Sequence, residues 1–66
     1  YPEIVISNKE IRVTEPVDME IYAISGYKVA EQKNTTVITT QNMERGAYIV
    51  KCTSSKGKVV TKKFIK

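Results

Sequence analysis

The chain has 66 residues and a mass of 7.5 kDa, enough for one domain whose core buries only about 60% of the surface exposed by the unfolded chain. It contains no histidine, no tryptophan and a single cysteine, so the common histidine-assisted and Cys/His-metal active sites are excluded and no enzyme is expected. Eleven Lys and Arg against seven Asp and Glu give a net charge of +4 and a pI near 9.3, which favours acidic partners without specifying one.

The dominant period along the chain is two. Glu3 to Ser7 is a short β-rich run ended by the polar pair Ser7-Asn8. Lys9 to Thr14 alternates, with Ile11 and Val13 on one face, and Glu15-Pro16 is predicted to close that run because proline donates no ladder hydrogen bond. Val17 to Ile24 alternates again, and Ser25-Gly26 supplies a turn before Tyr27 to Glu31. Thr35 to Thr40 is β-branched throughout and suits a pleated, half-buried surface. Gln41 to Gly46 is too short for a stable helix and reads as a corner. Ala47 to Thr53 is the most apolar segment and is expected to be central; Ser54 to Gly57 turns the chain into a last strand from Lys58 to Ile65. About seven short strands with no helical period predict an all-β fold, a small antiparallel immunoglobulin-like β-sandwich spanning residues 1–66. A small barrel is its competitor.

No constellation of catalytic or metal-binding residues accompanies this pattern. Cys52 shares a face with Tyr48 and Val50 and reads as a small buried hydrophobe. Asp18 and Glu20 lie opposite Val17, Met19 and Ile21, on a solvated face. Tyr22 and Tyr48 are assigned to the core, Tyr1 and Tyr27 to the surface, and Met19 and Met43 to core filling. Asn34-Thr35-Thr36 fits the N-x-[ST] pattern by coincidence, in a Thr-rich loop. No cofactor is expected. The lysines at 56, 58, 62, 63 and 66 raise single-strand nucleic-acid binding as an option; with two of the four tyrosines assigned to packing, no nucleic-acid partner is expected. No run of about 20 apolar residues crosses a bilayer. The opening at Tyr1, without a signal peptide, is read as an excision from a longer protein.

Three segments in register resemble a known family. Ile21-Tyr22-Ala23-Ile24-Ser25-Gly26-Tyr27-Lys28-Val29 is similar to an "I-Y-D-x-x-G-R-x-V" hairpin, Met43 to Lys51 to an "L-x-x-G-V-Y-I-V-K" corner and strand, and Lys62-Lys63-Phe64-Ile65-Lys66 to a basic-apolar terminus. These are motifs of the type A C-terminal sorting domains of the Bacteroidetes type IX (Por) secretion system. Ala23 replaces the usual acidic residue and Tyr27 the usual arginine, so any side-chain pairing between those positions is absent here.

The resemblance implies a folded signal at the end of a cargo protein, such as a protease. The cargo would cross the periplasm, be exported through the outer membrane to the cell surface or beyond, and lose the domain there. It implies secretion-machinery and sortase proteins of the outer membrane as partners, besides the parent cargo domain. Gly26, Gly46 and Tyr48 are expected to be structural, Tyr48 as a tyrosine corner whose hydroxyl bonds the backbone upstream. Lys62 to Lys66 are expected to present a strand edge and positive charge to the machinery. A homodimer through an edge or swapped strand is also expected. The alternative is an immunoglobulin-like accessory or adhesion domain of a surface protein, binding protein or glycan.

Overall fold

The computed structural model describes residues 3–66, and Tyr1 lies outside them. Five strands form one antiparallel sheet: β1 (Ile4–Ile6), β2 (Glu10–Ala23), β3 (Lys28–Thr39), β4 (Ala47–Ser54) and β5 (Val59–Ile65). One border of β2 pairs with β3; the other pairs with β1 along Ile11 to Val13 and with β4 along Val17 to Ala23. β4 lies between β2 and β5. The fold is all-β, as the alternation predicts, but the sandwich of seven short strands is corrected to five strands in a single curled sheet. Two pairs of predicted strands are each one continuous strand.

The reason lies at two interruptions. β2 has 14 residues and would be about 45 Å long if straight, yet the longest dimension of the molecule is 31 Å. It bends where its register against β3 jumps from Arg12↔Val37 to Val17↔Thr35. Residues 13–16 of β2 there face Thr36 alone, and Pro16 stands inside the skipped stretch. Its missing N–H therefore costs no bond to β3, and Glu15-Pro16 bends the strand without ending it. β3 answers with a bulge of its own. Between Val17↔Thr35 and Met19↔Gln32, Asp18 faces both Lys33 and Asn34. Asn34 takes a left-handed conformation (φ 51°), and its N–H donates to Asp18 Oδ1 at 2.9 Å. Asn34 therefore belongs to a strand bulge and not to a loop, and Asp18 on the solvated face holds that bulge closed.

The bend folds one arm of the sheet toward the other. Ile4, Ile11, Val13 and Ile38 from the arm carrying β1 join Val17, Met19, Ile21, Tyr48, Val50, Cys52 and Phe64 in one core. Met43 packs against this core from the β3–β4 corner. The Thr40 N–H donates to the Lys9 carbonyl at 2.9 Å and extends the β2–β3 ladder past Glu10; the free ends of the arms meet where Lys66 Nζ donates to the Asn8 carbonyl at 3.0 Å.

Tyr48 behaves as the tyrosine corner predicted for it. Its hydroxyl donates to the Glu44 carbonyl at 2.6 Å, and its ring stacks on Phe64 with centroids 5.6 Å apart. Tyr22 corrects the expectation of a core tyrosine. It follows Glu20 on the outer face, is half-buried, and donates its hydroxyl to Glu20 Oε2 at 3.1 Å.

Two substitutions test these features. Asn34→Val should destabilise the domain by about 1–2 kcal/mol, because a β-branched residue resists the left-handed region, whereas Asn34→Gly should be close to neutral. Tyr48→Phe should cost about 1 kcal/mol by removing one partly buried hydrogen bond. Urea unfolding followed by circular dichroism measures both.

Candidate functional site

Among the described residues, β5 borders the sheet, pairing only with β4. Its alternation predicts which side chains face inward. Val60, Lys62 and Phe64 lie on the core side, opposite Cys52, Val50 and Tyr48. Phe64 is buried, while Lys62, between Val60 and Phe64 and opposite the buried Val50, is exposed. Val59, Thr61, Lys63 and Ile65 lie on the outer face, with Val59 51% and Ile65 72% exposed. The segment from Ser55 to Lys66 holds five lysines and no acidic side chain. A border strand with charged residues, one of them on its core side, resists indiscriminate pairing with other chains.

The structure brings most of the predicted residues together at one pole. Gly46 and Lys66 exchange backbone hydrogen bonds of 3.4 and 2.9 Å, which extends the β4–β5 ladder beyond Ile65. Tyr48 supports Phe64 from the neighbouring strand. Lys62, Lys63, Phe64, Ile65 and Lys66 thus form one continuous border anchored by Gly46 and Tyr48. Gly26 stands apart, in the β2–β3 turn, where its φ of 106° requires glycine and its N–H donates to the Ala23 carbonyl at 2.8 Å. The Ala23 N–H in turn donates to the Tyr27 carbonyl at 2.9 Å. Backbone closure of this hairpin explains why it forms with neither the acidic residue nor the arginine of the family motif. Tyr27 is 66% exposed at its tip.

A cleft of about 510 Å³ opens at the end of β5, lined among others by Asn8, Thr40, Met43, Arg45, Phe64 and Lys66. Among the described residues, no carboxylate side chain lines it. Asn8 and Thr40 were invisible to a reading of local patterns, because only the bend in β2 carries them to the far end of the chain. The buried position of Thr40, 2% exposed, has no signal in a β-branched polar run.

Several other ionisable groups are engaged away from this pole. On the outer face, Lys28 Nζ lies 3.2 Å from Glu20 Oε2 and 3.5 Å from Glu31 Oε2. The hydrogen bonds from Lys28 and Tyr22 hold the Glu20 carboxyl below the usual carboxylate range. Bonding to Glu20 likewise pushes up the Lys28 ammonium and the Tyr22 phenol. Glu10 pairs with Arg12 on its own strand. Cys52 is buried, and burial pushes its thiol up, so it stays protonated among core side chains. Among the described residues, no three His, Cys, Asp or Glu side chains cluster so as to hold a metal ion.

Comparison with known proteins gives one result that bears on this border. Neither the curated proteins nor the solved structures contain a match to the chain. The family of secretion system C-terminal sorting domains matches it over residues 1–66. That span includes the hairpin, the corner and the basic terminal strand, in the order found in the fold. The chain therefore belongs to the secretion system C-terminal sorting domains, and it is a type IX sorting signal that sends the protein carrying it across the outer membrane to the cell surface or outside.

Proposed function

We propose that the secretion machinery grips this domain by Lys62 to Lys66, and that the domain performs no chemistry of its own. The observation that carries this reading is the border formed by β5, which pairs on one side only and carries no acidic side chain. β1 enters beside the bend, where Ile4 pairs with Val13, whereas β5 ends at the opposite pole, where Ile65 pairs with Ala47. A cargo domain joined ahead of β1 would emerge at the bend and leave the basic pole uncovered.

In this reading the folded domain travels through the periplasm of a Bacteroidetes cell with its cargo. Sortase-type proteins of the outer membrane then remove it at the surface. The two arms of the curled sheet serve as the layers of a reduced immunoglobulin-like sandwich. Self-association, where it occurs, uses the mixed-charge border of β3, which carries Lys28, Glu31 and Lys33, because two copies of β5 would place lysines against lysines.

Fusing residues 1–66 to a periplasmic reporter in a type IX-competent bacterium tests the reading. The wild-type fusion should reach the medium or the cell surface. The triple charge reversal Lys62→Glu, Lys63→Glu, Lys66→Glu should leave at least tenfold more reporter in the periplasm. Charge reversal is a cleaner test than deleting residues 62–66, since deletion would also remove the buried Phe64 and its stacking on Tyr48. Normal export of the triple variant would refute the proposed grip.

A further inference from the structure

The hydrogen-bond parity of β5 shows what its border offers. At one end of the β4–β5 ladder, Gly46 and Lys66 exchange both backbone hydrogen bonds; at the other, the Ser54 N–H donates to the Lys58 carbonyl at 2.8 Å. Hydrogen-bonded pairs in an antiparallel ladder recur at every second residue. The register between those ends runs Tyr48↔Phe64, Val50↔Lys62 and Cys52↔Val60. The even-numbered residues of β5 therefore turn their N–H and C=O groups toward β4. Val59, Thr61, Lys63 and Ile65 turn theirs outward, four peptide units at regular spacing along the uncovered border.

The side chains beside those units are equally ordered. Val59 and Ile65, both exposed, bracket Thr61 and Lys63 on the outer face, while Lys62 lies on the other face. We propose that this border is a strand-addition site for an extended segment of a partner protein, one that alternates apolar residues with carboxylates. Such a segment would take up the four outward peptide units. Its carboxylates, all on one face, would meet Lys62 on the core side, and its apolar side chains, on the outer face, would cover Val59 and Ile65 and lie along the aliphatic stem of Lys63. Charge complementarity decides the occupant: a second copy of β5 brings only lysines to the same border, whereas an acidic strand neutralises them. The inference rests on the proposed grip and adds the chemistry of what does the gripping.

A capped nonapeptide alternating Val and Glu serves as the probe, with the same peptide carrying Lys for Glu as its control. Added to the isotopically labelled 66-residue chain, the acidic peptide should slow amide exchange of Thr61, Lys63 and Ile65, and the lysine peptide should not. Thr61→Pro removes an outward N–H without taking a bond from the β4 ladder, and should weaken acidic-peptide binding at least tenfold while the chain remains folded by circular dichroism. Lys62→Glu, which leaves the backbone untouched, should weaken it similarly. Unchanged affinity in both variants, peptide-induced protection on β3 instead of β5, or equal binding of the two peptides would overturn the inference. Export separates this failure from failure of the grip. Normal export of a Thr61→Pro fusion alongside poor export of the triple charge reversal would overturn strand addition alone.

Discussion

Everything in this fold depends on bending β2. A strand of 14 residues cannot lie straight in a molecule 31 Å long, and a flat sheet of 66 residues would leave its apolar face in water. The bend solves both problems. It folds the arm carrying β1 over the arm carrying β4 and β5, so that Ile11 and Val13 share a core with Tyr48, Val50 and Phe64. Three extra residues on β2, with Pro16 among them, and one on β3, with Asn34 in the left-handed region, produce the change of direction. The Asp18 carboxylate stabilises it by accepting the Asn34 N–H.

The bend also prepares the border for use. It brings Asn8 and Thr40 to the pole where β5 ends, and the Lys66 ammonium is tied to the Asn8 carbonyl. Tyr48 fixes the start of β4 through the Glu44 carbonyl and supports Phe64 by stacking. β5 is therefore held firmly on one side while the other side stays uncovered. β5 thus joins a rigid frame to an open border, the combination on which the proposed grip relies. The lysines of β5 reconcile openness with solubility.

Much of this was legible in the sequence, and the failures have physical causes. Alternation located every strand segment, the inward face of β2 and the buried position of Cys52. The motifs at Ile21 to Val29, Met43 to Lys51 and Lys62 to Lys66 identified the family, and the Tyr48 hydroxyl bond followed from its place after Gly46. Glu15-Pro16 misled because proline is a breaker only where its N–H is needed, and a skipped register does not need it. The interruption in β3 was equally opaque. The hydrogen bond that stabilises Asn34 comes from a residue 16 positions earlier, a distance no local pattern spans. Tyr22 was misplaced by hydrophobicity although its parity, shared with Asp18 and Glu20, puts it on the outer face.

The central claim is that β5 is bound on one side and bare on the other, and amide hydrogen exchange of the isolated 66-residue chain at low concentration tests it directly. The account predicts slow exchange for Val60, Lys62 and Phe64, whose N–H groups point to β4, and fast exchange for Val59, Thr61, Lys63 and Ile65. Comparable protection of both sets would contradict it, since the border would then already be covered and unavailable to any partner.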